Sequence, residues 1–100
     1  MISEARRRQR VFREIERYLE IIKEVAKEFD PGAEVYLFGS VAEGRHTFSS
    51  DIDVLIVTKA NPAELLGELW RAGVKDPFEI HVQPPERLEL YARRARLIRV

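Results

Sequence analysis

The chain has 100 residues, which is enough for one small hydrophobic core and too few for two. Hydrophobic residues make up 45% of it, which excludes a disordered chain, and 17 basic side chains balance 17 acidic ones, which excludes a polycation. Cysteine is absent, so disulfides, thiolate catalysis and cysteine-ligated zinc are excluded as well. We therefore expect a single domain over residues 1–100.

No segment has the features of a membrane span or of a secretory signal. The longest purely apolar run is Val54 to Val57, whereas a spanning helix needs about 20 residues. Arginines near the N-terminus are not followed by the apolar core of a signal peptide. We expect a cytoplasmic protein with no membrane partner.

The charges cancel overall but are segregated along the chain. Residues 1–19 carry six arginines and three glutamates, and residues 86–100 carry five arginines and two glutamates. Residues 30–85 hold nine acidic and four basic side chains. Solvated helix faces account for most of these arginines. The alternative is that the basic ends attract a polyanion or an acidic partner to the acidic middle.

Apolar residues at helical spacing predict one long amphipathic helix in the first third of the chain. Its stripe consists of Phe12, Ile15, Leu19, Ile22, Ala26 and Phe29. We expect this helix to begin near Ser3 and to end at Asp30-Pro31-Gly32, which is a stop and turn signal.

Three short strands are predicted in the remainder, over residues 34–38, 51–58 and 78–82. The second contains Val54 to Val57, apolar on both faces, which is typical of a buried central strand. One or two helical turns are expected at residues 40–45, directly after the first strand.

Two further helices have clear sequence signals. Asn61 before Pro62 predicts the cap and first turn of a helix that stops at Gly73. Pro84-Pro85 opens a last helix, with one face formed by Leu88, Tyr91, Ala95 and Ile98. The order of elements predicts an α/β (α+β) fold with two layers and a sheet of three or four strands.

The glycine and serine at positions 39 and 40 mark the place where a strand turns into a helix. On its own, such a pair is as often a simple turn and helix cap as it is a binding site. Glycine also permits a close approach of the backbone to a ligand, and the serine hydroxyl can bind phosphate oxygens.

Two aspartates at positions 51 and 53 enter the predicted central strand. Residues i and i+2 of a strand share a face, so Asp51 and Asp53 lie close enough to share a cation. Leu55 and Val57 continue the same face as apolar residues. Because carboxylates beside buried apolar side chains are costly without a counter-charge, this pattern favours a metal site.

The third strand contributes an acid between apolar neighbours, Phe78-Glu79-Ile80. Taken alone, Glu79 is more often a solvated strand residue, since His81 shares its face. Only two histidines are present, which makes a zinc site an unfavoured interpretation. We expect His46 to be a loop residue and His81 to be a packed strand residue, with a supporting contact to Glu79 as the alternative.

The glycine-serine pair, the two aspartates and the acid of the third strand are more specific together than any one of them alone. Gly39-Ser40, followed after ten residues by Asp51-Ile52-Asp53, resembles the signature of the nucleotidyltransferase superfamily that includes DNA polymerase beta. The longer run from Gly39 to Arg45 is similar to the minimal nucleotidyltransferase family of archaea and bacteria. Phe78-Glu79-Ile80 resembles the third acidic motif of that family, and the resemblance covers about residues 33–83.

This resemblance implies a single minimal nucleotidyltransferase domain, with a small mixed sheet and helices packed mainly on one face. It implies transfer of a nucleoside monophosphate, AMP from ATP, to an acceptor hydroxyl with two Mg²⁺ ions. The implied metal-binding and catalytic residues are Asp51, Asp53 and Glu79, with Glu79 also able to accept the proton of the acceptor. The implied nucleotide-binding residues are Gly39, Ser40 and Arg45.

The acceptor and the partner stay open at the level of sequence. The resemblance implies a small helical HEPN-type protein as partner, with a tyrosine of that partner as the acceptor. The alternative is an antitoxin or binding module that neutralises such a toxin with little or no catalysis. Self-association and transfer to RNA or to a small molecule are further alternatives. Nucleic acid is disfavoured, because no aromatic side chains are interleaved with the N-terminal arginines Arg6, Arg7, Arg8, Arg10 and Arg13 in the manner of single-strand binding.

Overall fold

A mixed sheet of four strands forms the centre of the domain in the computed structural model, which describes residues 4–47 and 49–100. The strands, in the spatial order β3-β2-β1-β4, are β1 (Glu34–Phe38), β2 (Ile52–Val57), β3 (Phe78–Gln83) and β4 (Ile98–Arg99). Strand β2 runs parallel to β3 and antiparallel to β1, and β4 runs antiparallel to β1. The predicted α/β (α+β) class with a small mixed sheet is confirmed.

Strand β2 is central, and apart from Asp53 its side chains are buried on both faces. Alternate residues of the strand, from Ile52 to Ile56, join an apolar cluster on one face. The helices on that face are α1 (Glu4–Arg13), α2 (Ile15–Phe29) and α4 (Pro62–Arg71), and they contribute Val11, Ile22, Ala26, Leu65 and Leu69. The predicted packing of helices mainly on one face is therefore confirmed.

The N-terminal segment forms two helices where the sequence predicts one. Glu14 separates α1 from α2 with φ −105° and ψ 22°. Neither glycine nor proline marks the interruption. Val11 of α1 is buried in the same cluster as Ile22 of α2, so tertiary packing of both stripes, and not a local breaker, accounts for it. The predicted start near Ser3 lies outside the described residues.

The C-terminal segment also differs from the prediction, because its helix is shorter. After a single 3₁₀ turn (Pro85–Arg87), α5 covers Leu88–Arg94, and Ala95 is already extended with φ −146° and ψ 153°. Ile98, which is predicted on the helix, lies in β4 and pairs with Leu37 of β1. The second edge of β1 would otherwise expose unpaired backbone groups, and β4 satisfies them.

The remaining helices are short. The predicted cap of α4 is confirmed, because the side chain of Asn61 accepts a hydrogen bond of 3.1 Å from the Glu64 N–H. Helix α4 ends at Arg71 and is followed by Gly73, whose φ is 94°. The short α3 (Gly39–Ala42) follows β1 directly. Among the helices in residues 4–47 and 49–100, none is both long enough and apolar enough to cross a bilayer.

Asp30 links the turn between α2 and β1 to the end of β2. The Thr58 hydroxyl donates a hydrogen bond of 2.7 Å to Oδ2 of Asp30, and the Gly32 N–H donates one of 2.9 Å to Oδ1. These donors, the Thr58 hydroxyl first, hold the pKa of Asp30 below its ordinary value. The ionised form of Asp30 is thus favoured by folding.

This hydrogen bonding predicts a pH-dependent contribution to stability. A carboxylate with a depressed folded-state pKa stabilises fully above its unfolded pKa, and the contribution is lost as pH falls through the folded-state value. We expect Asp30→Asn to be less stable than wild type at pH 7, and the difference to shrink below about pH 4. Urea unfolding across this pH range measures it. Thr58→Val should weaken the pH dependence, and a deficit of Asp30→Asn that is constant with pH would contradict the assignment.

Candidate functional site

The register of the sheet sets Asp53 beside Glu79. The two residues are direct partners across the parallel strands β2 and β3, and Phe38 is the partner of Asp53 across β1. Paired residues of neighbouring strands point to the same face of a sheet. Val54 and Ile80, one position further along, point to the apolar cluster. Asp53 and Glu79, which form an acidic row across the two strands, therefore lie on the opposite face.

Asp53 and Glu79 form a compact group with His81. One ligand atom from each of the three side chains lies within 4.8 Å of the others. Nε2 of His81 is 3.6 Å from Oδ1 of Asp53 and 3.8 Å from Oε1 of Glu79. The exposed fractions of the side chains are 24% for Asp53, 31% for His81 and 55% for Glu79. Asp53 is therefore the least exposed member of the group, and Glu79 is the most exposed.

The imidazole nitrogen of this group lacks a hydrogen-bond partner. Nε2 of His81 is fully buried as an atom, and within the described part of the chain nothing hydrogen-bonds to it. Buried polar atoms without a partner cost about 1–3 kcal/mol. A ligand bound between this nitrogen and the two carboxylates would remove that cost.

The group contains two of the three predicted metal ligands. Asp51 is exposed, lies just before β2 and does not join the group within 4.8 Å. His81, expected as a packed strand residue, joins it instead. The shared face of Glu79 and His81 was readable from their spacing, but the parallel pairing that brings Asp53 to them was not.

Gly39 lies where the backbone passes the carboxylate of Asp53. Its φ is +76°, in the left-handed region that favours glycine. A Cβ at this position would overlap Oδ2 of Asp53 and would lie 3.1 Å from its Cγ. The sequence suggests glycine here for the approach of a phosphate, and the geometry adds that the side chain of Asp53 needs the same space.

The other two predicted nucleotide-binding residues, Ser40 and Arg45, lie in α3 and in the turn after it. Ser40 is in α3, and its carbonyl accepts a hydrogen bond of 2.9 Å from the Arg45 N–H. The Arg45 guanidinium lies 3.2 Å from a carboxylate oxygen of Glu43. Ser40 directly follows Gly39, where the backbone passes the Asp53 carboxylate, whereas Arg45 is held on the turn after α3.

Arg8 hydrogen-bonds the segments that precede β2 and β3, the strands that carry Asp53 and Glu79. Arg8 is 19% exposed, and it donates hydrogen bonds of 3.2 Å to the Ser50 carbonyl and 3.2 Å to Oδ2 of Asp76. The Ile52 N–H also donates to the Pro77 carbonyl at 2.9 Å. This arginine therefore connects the segment before β2 to the segment before β3.

An open cavity of about 430 Å³ lies beside the acidic group, under α5. Phe38 and Tyr91 form its aromatic wall, with ring centroids 5.8 Å apart, and the His81 ring is 5.1 Å from Phe38. The remaining lining residues are Gln83, Arg87, Leu90, Arg94 and Ala95. Aromatic faces with two cationic side chains suit a planar ligand that carries negative charge.

Comparisons with known proteins agree with this fold. The sequence model described as "Nucleotidyltransferase domain" matches residues 19–100. A crystal structure of a protein provisionally assigned as a nucleotidyltransferase is 31% identical, with a TM-score of 0.68 over 83% of this chain and 97% of its own. A second, from Sulfolobus solfataricus and assigned in the same way, is 27% identical, with a TM-score of 0.61 over 97% of this chain and 87% of its own. No protein of curated function matches the chain.

Gly44, two residues after the end of α3, serves as a control for Gly39, the first residue of that helix. Gly39 and Gly44 have φ values of 76° and 72°, but a Cβ at Gly44 would meet nothing within 4 Å. We expect Gly39→Ala and Gly44→Ala to lose about 1 kcal/mol each from backbone strain. Only Gly39→Ala should also weaken binding of a divalent cation, because it displaces the Asp53 carboxylate.

Urea unfolding measures the loss of stability, and titration with Mn²⁺ measures the affinity for a divalent cation. Equal Mn²⁺ affinity for the two alanine variants would show that the contact between Gly39 and Asp53 is irrelevant to the site.

Proposed function

The chain belongs to the nucleotidyltransferase domain family, whose model spans residues 19–100, and on that premise we propose that it transfers AMP from ATP to an acceptor hydroxyl. The observation that carries this proposal is the pairing of Asp53 with Glu79 across parallel strands. Phe38, the partner of Asp53 on β1, immediately precedes Gly39-Ser40. We further propose that residues 1–100 act as one minimal nucleotidyltransferase domain.

Carboxylates of Asp51, Asp53 and Glu79 would hold two Mg²⁺ ions. Mg²⁺ prefers oxygen ligands, and two carboxylates on adjacent strands repel each other unless a cation lies between them. The described group of Asp53 and Glu79 fits this requirement, and Asp51 is two residues before Asp53 at the entrance to β2. When bound, such ions neutralise the triphosphate and stabilise the leaving pyrophosphate.

The triphosphate is proposed to lie over the turn between β1 and α3. The Ser40 hydroxyl and the backbone N–H groups that follow Gly39 supply donors for phosphate oxygens. Arg45 would exchange its contact with Glu43 for one with phosphate, a stronger charge-assisted pairing for a guanidinium. The nucleoside would enter the cavity beside Phe38 and Tyr91, where base stacking on aromatic rings contributes about 1–3 kcal/mol.

The transfer itself forms one oxygen–phosphorus bond and breaks one. The acceptor oxygen attacks the α-phosphorus, the bond from that phosphorus to the α,β-bridging oxygen breaks, and pyrophosphate leaves. The acceptor proton passes to the Glu79 carboxylate and from there to solvent. Glu79 is suited to this role because it is the most exposed member of the group.

The proposed acceptor is a tyrosine of a small helical HEPN-type protein. A tyrosine on a folded partner can approach this site from the solvent, because the Glu79 side chain is 55% exposed.

The second candidate is a binding module that neutralises such a partner without transfer. It is favoured by a specific observation on α4, where Leu66 and Trp70 are 40% and 59% exposed. These side chains lie on the helix layer, on the side of the sheet away from the acidic row. Exposed apolar side chains remote from the acidic group favour a protein-binding surface that does not depend on transfer.

Substitution of Asp53 tests the proposal. Asp53→Asn keeps the size of the side chain but removes a ligand charge, so we expect transfer of label from α-labelled ATP to fall at least about hundredfold. Loss of like-charge repulsion should leave the metal-free variant at least as stable as wild type. Glu24→Gln is the control, because Glu24 is exposed on α2, in the helix layer on the other face of the sheet, and its substitution should leave transfer unchanged.

The assay compares a HEPN-type partner with RNA as acceptor, with Mg²⁺ and with chelator. Equal transfer by wild type and Asp53→Asn would refute the site. Partner binding without transfer by wild type would establish the binding module.

A further inference from the structure

We propose that His81 completes one of the two ion positions with Asp53 and Glu79, and that this position therefore prefers a first-row transition ion such as Mn²⁺ to Mg²⁺. The inference rests on the proposed function, because it concerns the same site. It differs from the sequence-based expectation, which assigns the third ligand to Asp51 and gives His81 a packing role.

The spacing of the three ligand atoms suits a bound ion. Nε2 of His81 lies 3.6 Å and 3.8 Å from the two carboxylate oxygens, and the three atoms are all within 4.8 Å of one another. Nitrogen and oxygen ligands sit about 2.0–2.2 Å from a transition ion such as zinc, which puts them roughly 3–4 Å apart around it. These separations are too long for hydrogen bonds and close to those of ligands that share a metal.

The imidazole ring is held in place by packing, without a hydrogen bond to Nε2 from any described residue. Its ring makes edge contacts with Phe38 at 5.1 Å and with Tyr91 at 6.3 Å between centroids. Nε2 is buried, and no hydrogen bond to it is found among residues 4–47 and 49–100. A fixed ring that presents an unpartnered nitrogen to two carboxylates is a ligand in position, because ion binding would satisfy all three groups together.

The ligand types determine which ion is favoured. Mg²⁺ requires oxygen ligands and loses its water reluctantly, whereas imidazole nitrogen is a ligand for transition ions. A set of two carboxylates and one imidazole keeps the charge that any divalent cation needs and adds an interaction from which Mg²⁺ gains little. Mn²⁺ accepts both oxygen and nitrogen ligands and is therefore the probe of choice.

The experiment measures Mn²⁺ and Mg²⁺ binding to the full chain, with and without a non-hydrolysable ATP analogue. Free Mn²⁺ is counted by electron paramagnetic resonance, and Mg²⁺ is added as competitor. We expect Mn²⁺ to bind at least about tenfold more tightly than Mg²⁺, and His81→Phe to remove at least about tenfold of the Mn²⁺ affinity. Mg²⁺ affinity should change less than about threefold, since His81→Phe leaves both carboxylates in place.

One control variant and one spectroscopic measurement make the result specific. His81→Phe keeps a ring against Phe38 and Tyr91, and His46→Phe removes the other imidazole of the chain, which stacks on Phe12 at 5.2 Å. His46→Phe should bind Mn²⁺ as wild type does. Electron spin-echo modulation from an imidazole nitrogen in Mn²⁺-loaded wild type reports the ligand directly, whether or not a variant folds.

The inference is overturned if wild type shows no nitrogen modulation, if it binds Mn²⁺ no better than Mg²⁺, or if a folded His81→Phe retains the preference. Failure of the proposed function would look different. Because the ion titration contains no acceptor, a wild type that transfers no nucleotide but shows the Mn²⁺ preference would refute the transfer and not the ligand.

Discussion

The parallel pairing of β2 with β3 is the constraint on which the site depends. Asp53 and Glu79 belong to separate segments, and only this register makes them neighbours. A slip of one residue would turn Glu79 into the apolar layer and Ile80 out of it, because side chains alternate between faces. Burial of Val54 and Ile80 against the helices therefore fixes the position of the carboxylates on the opposite face. The energy that holds the acidic group together comes from the apolar side of the same strands.

Two local features help to position Asp53 and Glu79 on the sheet. The positive φ of Gly39 and its missing side chain make room for the Asp53 carboxylate at the end of β1. Arg8 hydrogen-bonds the segments before β2 and before β3, so the strands that carry the two acids start from a common anchor.

Motif spacing and periodicity were sufficient to predict the fold class and the central strand. They were sufficient because each rests on residues close together in the chain. The interruption at Glu14, the strand Ile98–Arg99 and the contact of His81 with Asp53 were not predicted. Each depends on packing between distant segments: burial of two helices in one core, an unsatisfied edge of β1, and the register of β3 on β2. A single sequence carries no direct signal for such contacts.

The central claim is that Asp53 and Glu79 hold a cation beside a nucleotide bound at Gly39-Ser40. A crystal structure of the protein grown with Mn²⁺ and a non-hydrolysable ATP analogue, with anomalous data collected for manganese, tests it most directly. The account predicts an anomalous peak between the Asp53 and Glu79 carboxylates, with triphosphate oxygens on the ion and at Ser40. Manganese elsewhere on the protein, or a nucleotide bound away from the turn between β1 and α3, would contradict it.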